Sequence, residues 1–309
     1  MSIETQLPED SSSGVTPVQS LPMKARRGGI LRSVPPTGLV LLSVTSTQFG
    51  SAFAKGLFPA LGAAGTVALR VGFAALLLMS LWHPRVRGYS RRAYLYVGLF
   101  GIALATMNLA FYSALARIPL GVVVTLEFSG PLAVAVVGSR KALDLLWVTF
   151  AAAGILLLAP WTGAHYNPLG ILLALTAGAC WAAYILLSAR VGHHIPGIAG
   201  LAMAMSIAGL LLVPTGFAKD GWHLVSPLLM MQGLGVSILS SVVPYSVELE
   251  ALRRLPTHVF GLLMSLEPAM ASFAGWLILG EGIGLRGASA MLLIIAASVG
   301  TTRGQRTAG

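Results

Sequence analysis

Residues 118–136 read IPLGVVVTLEFSGPLAVAV, and residues 255–271 read LPTHVFGLLMSLEPAMA. Each sets one glutamate, Glu127 or Glu267, inside a stretch that is otherwise soluble in lipid. A charged side chain at a bilayer centre costs roughly 2.5–3.5 kcal/mol on insertion scales, so such a residue faces a polar interior or a partner and marks a pathway. Both glutamates follow a glycine by six residues, Gly121 and Gly261, and close a Leu-Glu pair. The segment just before is copied as well: ALARIP at 114–119 returns as ALRRLP at 251–256. The chain therefore carries an internal repeat.

Composition fixes the class around this repeat. The 309 residues are 56% hydrophobic and only 10% charged, far from the roughly 25% charged residues of soluble domains. Mean hydropathy is +0.82. The chain reads as an all-α integral membrane protein in contact with the lipid bilayer. Its formal charge of +10 comes from short basic clusters between apolar runs, the distribution of a cytoplasmic membrane face, and nucleic acid is not an expected partner. The single cysteine, Cys180, allows neither an internal disulfide nor a cysteine metal site.

Runs of about 20 apolar residues, the length needed to cross a bilayer, fall at 38–55, 62–82, 94–114, 119–138, 143–161, 168–188, 196–215, 227–248, 257–279 and 285–302. Ten spans are expected, the third and eighth being the most interrupted by polar residues. Residues 1–37 are expected to form a disordered cytoplasmic tail, polar and rich in Ser, Pro and Thr. Met23, ahead of a basic cluster, is an alternative start, and the first span is expected to remain uncleaved. With the N-terminus inside, fifteen Lys and Arg fall in cytoplasmic segments and four, Lys55, Arg117, Lys219 and Arg286, on the other side. Both termini are thus expected in the cytoplasm.

The repeat-bearing spans are five apart, and an odd offset reverses the second copy in the membrane. This predicts two inverted five-helix repeats at 38–161 and 162–302, followed by a cytoplasmic tail at 303–309, with any binding site near the midplane between them. At 1.5 Å per residue, Glu127 lies about 12 Å and Glu267 about 15 Å into their spans from opposite faces. Pro131 frees the carbonyl of Glu127 from its helix bond, and Pro268 directly follows Glu267, so a kink is expected beside each acid.

Arg70 is the remaining costly residue and lies at a depth similar to Glu127. A guanidinium suits either of two tasks: pairing with Glu127, or gripping a substrate carboxylate by two parallel hydrogen bonds. Glu127 reads as a proton carrier or amine ligand, or else as the structural partner of Arg70. Burial favours the neutral acid and a neighbouring arginine the anion, so the two influences oppose one another. Gln48, Asn108 and Tyr112 are candidates to line a polar interior or to hydrogen-bond between helices. Trp181 and Tyr184, three apart on one helix face, form an aromatic wall or simply pack. Lys55 is expected to snorkel to the interface, and Glu248 and Glu250 to join a salt-bridge cluster with Arg253 and Arg254. His193 and His194 lack acidic neighbours and do not suggest a metal. No cofactor motif and no HExxH or GxSxG constellation occurs, so an enzyme is not expected.

On these residues the chain resembles the EamA division of the drug/metabolite transporter superfamily, closest to the RhtA-type threonine and homoserine exporters. The likeness is carried by AKGLFPALGAAG at 54–65, ALR at 68–70, MNLAFY at 107–112, the 118–136 stretch, GACWAAYIL at 178–186, and PYSVELEALRRLPTHVFGLLMSLEPAMA at 244–271. The resemblance implies two EamA repeats in a bacterial inner membrane, a small amino acid as substrate, and proton-driven efflux through a central cavity. It leaves open an exporter of drugs or other metabolites on the same fold, and a non-transporting membrane subunit. Oligomeric state and proton stoichiometry do not follow from it.

Overall fold

The computed structural model describes residues 34–137, 142–158, 166–195, 198–252, 254–255, 260 and 263–306. Most of the expected N-terminal tail, the basic pair Arg140 and Lys141, Arg253 and the first part of the expected ninth span lie outside these residues.

Among the described residues every regular element is helical. Helix α1 (Pro36–Gly56) and α2 (Phe58–Trp82) each carry proline in the first turn, where the missing N–H is not needed. Gly62, at φ 57°, breaks the first turn of α2 from the rest, a conformation that Gly adopts without steric cost. Helix α3 (Arg91–Leu115) is capped by Ser90, whose hydroxyl accepts from the Ala93 N–H at 3.2 Å. The expected fourth span is two pieces, α4 (Leu120–Glu127) and α5 (Ser129–Val137), followed by α6 (Ala142–Leu158). Asn167 caps α7 (Pro168–His194), accepting from Gly170 N–H at 3.1 Å. Helix α8 (Ala199–Asp220) leads through a 3₁₀ turn, Gly221–Val225, to α9 (Pro227–Ser237). A π turn, Ile238–Val242, joins α9 to α10 (Val243–Leu252). The chain closes with α11 (Glu267–Leu279) and α12 (Leu285–Arg306).

The interrupted eighth span is the one that contains the π turn. By length and composition, Phe58–Trp82, Arg91–Leu115, Pro168–His194, Ala199–Lys219 and Pro227–Glu248 are long and apolar enough to cross a membrane. Leu120–Val134 and Leu285–Ala297 are shorter apolar helices. Burial is distributed as lipid demands. Leu210 is 75% exposed and Leu76, Leu95, Leu172 and Leu292 also face outward, while Arg70, Glu127 and Glu267 are buried. A protein folded in water pays for burying unpaired charges and exposing leucine, whereas a bilayer reverses the second cost.

The helices pack in a pattern with an internal symmetry. Helix α2 lies on α8, α4 on α11, and α6 on α12; α3 lies on α7 and α8; α1 lies on α10 and α11; α9 lies on α2; and α4 and α5 lie on α7. Exchange α1 with α7, α2 with α8, α3 with the α9–α10 run, α4–α5 with α11, and α6 with α12. The same set of neighbours results. The main apolar core runs through these contacts, from Ala52 and Val71 through Phe100 and Leu126 to Ala177, Ala208 and Ala274.

Candidate functional site

Arg70 projects from α2 into the buried interior, where its planar guanidinium is fixed on three sides. Nη1 donates to Asn108 Oδ1 at 3.0 Å, Nη2 donates to the Ser240 carbonyl at 3.0 Å, and the charge lies 5.4 Å from the centroid of the Tyr112 ring. Asn108 is itself held, since its Nδ2 donates to Leu104 O at 2.8 Å, which orients Oδ1 toward the arginine. The Ser240 carbonyl lies in the π turn, and the residue four on, Pro244, has no N–H to bond it. Tyr112 is fully buried between Phe58 and Phe111, at ring separations of 5.9 Å and 5.7 Å.

All three partners of Arg70 are neutral. Among the described residues no ion pair joins Arg70 to Glu127, so the expected structural pairing is not the arrangement adopted. Glu127 remains within electrostatic range of Arg70. Three buried polar atoms around this site have no hydrogen-bond partner: Arg70 Nε, the Tyr112 hydroxyl and the Ser240 hydroxyl. Buried polar groups are usually satisfied, so a cluster of open ones marks a place where another polar molecule fits.

Glu127 is the last residue of α4, and the chain turns at Phe128 before α5 begins. The expected kink is a one-residue turn: Phe128 keeps helical dihedrals and its N–H still reaches the Val124 carbonyl at 2.9 Å. The turn is seated on Gly178 of α7, where an added Cβ would stand 2.7 Å from the Glu127 carbonyl oxygen. Glu267 opens α11 with Pro268 behind it, so a helix terminus lies at each acid. Neither carboxylate accepts a hydrogen bond among the described residues, although both residues are buried.

The remaining expected residues divide. Gln48 is buried on α1, with Oε1 unpartnered. Trp181 and Tyr184 are half-buried on α7 but serve different neighbours: Trp181 meets Phe128 edge-on at 5.6 Å, and Tyr184 lies on Phe100 at 5.1 Å. Trp181 thus touches Phe128, beside Glu127, and Tyr184 sits one turn away against α3.

The expected cluster of Glu248 and Glu250 with the arginines is corrected by the structure. Glu250 does pair with Arg254, through contacts of 2.6 and 2.9 Å, but Glu248 does not join that cluster. Its Oε1 instead accepts from the buried Ser43 hydroxyl of α1 at 2.5 Å, and it lies within electrostatic range of Glu267, Tyr184 and Tyr245. A serine in the otherwise apolar LVLLSV run at 39–44 was the available signal for a polar partner. Among the described residues no group of His, Cys, Asp and Glu is arranged to hold a metal ion.

A buried arginine dressed by neutral groups, facing acids at helix ends in a lipid-facing bundle, is the interior of a polytopic transport protein. Residues 168–303 match the EamA-like transporter family. The chain is 42% identical over 283 residues to the threonine/homoserine exporter RhtA of Escherichia coli K12, a match covering 89% of this chain and 94% of that protein. RhtA of Salmonella typhimurium LT2 is 41% identical over the same length, with the same coverage of each chain. An uncharacterized transporter of Bacillus subtilis, YwfM, is 26% identical over 226 residues, 70% of this chain and 76% of that one. A solved crystal structure superposes at a TM-score of 0.58 with 17% identity, covering 88% of this chain and 99% of its own, and speaks to fold alone. The chain belongs to the EamA-like transporter family, in the group of the RhtA exporters. It is a multi-pass transporter of the inner membrane.

Proposed function

We propose that the protein exports small neutral amino acids of the threonine and homoserine kind by proton-coupled alternating access between two inverted five-helix repeats. The observation that carries the reading is the neutral dressing of Arg70. A substrate carboxylate approaching it displaces no resident anion, so its full charge is available for binding. Asn108, the Ser240 carbonyl and the Tyr112 ring hold the guanidinium plane in place beforehand, which lowers the ordering cost of binding. The likeness to RhtA supports the choice of substrate, the exchange symmetry of the packing supports two repeats, and the Lys and Arg bias of the loops supports both termini in the cytoplasm.

The substrate ammonium or a proton is taken by Glu127, a buried carboxylate that accepts no hydrogen bond among the described residues and lies within electrostatic range of Arg70. Glu267 and Glu248 provide further acidic stations. Glu127, Glu248 and Glu267 outnumber the single interior Arg70, and a zwitterion leaves that balance unchanged. Protons are the cations able to fill the difference, which is why export is coupled to their gradient.

Reconstitution in proteoliposomes tests the reading directly. Threonine and homoserine efflux should rise with an imposed proton gradient; efflux indifferent to the gradient removes the coupling, and efflux of cationic drugs in place of amino acids replaces the substrate assignment.

A further inference from the structure

At the end of the molecule where α1 gives way to α2, segments from both halves of the chain meet on one carboxylate. Lys55, in the last turn of α1, does not reach freely toward the interface. Its Nζ lies 2.5 Å from Glu281 Oε1 and donates to the Ile118 carbonyl at 3.1 Å. The second oxygen, Glu281 Oε2, accepts from the Leu120 N–H at 2.8 Å. Leu120 opens α4, and its capping position is Pro119, which has no side-chain acceptor to offer. Glu281 therefore supplies from the other half of the chain the cap that α4 lacks, on the helix end that favours an anion.

The loop that presents Glu281 is built for this position. Gly280 adopts φ 66°, and the Glu281 N–H donates back to the Gly275 carbonyl at 3.1 Å. A Cβ on Gly275 would stand 2.9 Å from Glu281 Oε2, so only glycine leaves the carboxylate its present place without adjustment. The two side chains are 21% and 16% exposed, at the margin of the protein and partly shielded. Pairs at such margins hold only modestly, because water recovers both charges when they part. A contact of this strength suits a closure that opens repeatedly, and α4 carries Glu127 seven residues further on.

We propose that Lys55 and Glu281 are a positioning pair that clasps the two halves at the outer end of the transport path and parts to release substrate there. This rests on the alternating-access reading above, with the present conformation being the one closed on that side. By holding the first residue of α4, the clasp also ties opening of the outer end to movement of the helix that ends in Glu127.

The test reads access, not transport. In the full-length chain, Cys180→Ala removes the native thiol and Ser51→Cys places a reporter one turn from Lys55 on the same buried face of α1. Labelling by a membrane-impermeant maleimide is compared in spheroplasts and in inside-out vesicles. Lys55→Met and Glu281→Gln should each raise labelling from the outer face about tenfold, as expected when a two-state balance loses a modest bias. Glu281→Gln retains an oxygen for the Leu120 N–H, so it separates the ion pair from the helix cap. The exchanged pair Lys55→Glu with Glu281→Lys should return labelling toward that of the reporter alone. Unchanged labelling in both single variants, a rise confined to the cytoplasmic face, or an exchanged pair as open as the singles overturns the proposal. Labelling needs no substrate, so a protein that shows these shifts yet exports no threonine would refute the substrate reading and leave the clasp standing.

Discussion

Glu127 and Glu267 occupy corresponding places in two copies of one motif, yet they meet opposite ends of a helix. Glu127 is the last residue of α4, before the turn at Phe128, and has the positive Arg70 within range. Glu267 is the first residue of α11, after the turn at Ser265 and Leu266, and the acidic side chains within its range are Glu248 and Glu127. A repeated sequence has produced repeated turns without producing repeated fields. Among the described residues, Glu127 has a cation within range and Glu267 has two acids, which in the proposed function divides the carboxylate and ammonium contacts of a zwitterion from the proton-bearing group.

This inequality can be broken by substitution. Glu127→Gln should have the largest effect, lowering threonine efflux per reconstituted protein about 100-fold, the upper range for losing a charge-assisted contact; a loss no greater than that of Glu267→Gln would erase the distinction. Arg70→Lys should lower efflux about 30-fold despite keeping the charge, because an ammonium cannot span Asn108 and the Ser240 carbonyl while presenting a fork to substrate. Wild-type rates in this variant would move the carboxylate contact elsewhere. For Glu267→Gln we expect about a tenfold loss, steepest when the proton gradient drives the flux; an equal loss with and without the gradient would assign it to substrate binding. Glu248→Gln should show the smallest change, about threefold and expressed in the apparent affinity at the cytoplasmic face. A larger loss there than at Glu267 would make the Ser43–Glu248 contact the principal acidic site of the second half.

The parts of this site visible in the sequence share one property. Arg70, Asn108, Glu127 and Glu267 are expensive in lipid wherever their helices rotate, so their positions inside the bundle followed from cost alone. What stayed hidden depended on rotation or on distance along the chain. Glu248 follows a π turn, and that turn adds about one residue to the local repeat, rotating the later residues relative to a regular helix. Arg254 is six residues beyond Glu248, off the i,i+4 face on which it meets Glu250, and the hydrogen-bond partner of Glu248 is Ser43, 205 residues away. Lys55 and Glu281 are separated by 226 residues and have no local pattern to connect them. Arg70 and Glu127 form no ion pair because equal depth on two helices does not bring their side chains together; the guanidinium is held instead by Asn108 and the Ser240 carbonyl.

The crossing of α7 over the turn beside Glu127 sets a limit of a different kind. Gly178 brings backbone against backbone, with no side chain to yield between them. A methyl group there would act as a wedge, lifting α7 and with it the Trp181 ring that covers Phe128. At this one crossing, volume and not charge governs how the acid is presented, and the smallest side chain in the protein keeps the two halves of the fourth span in register with the helix that supports them.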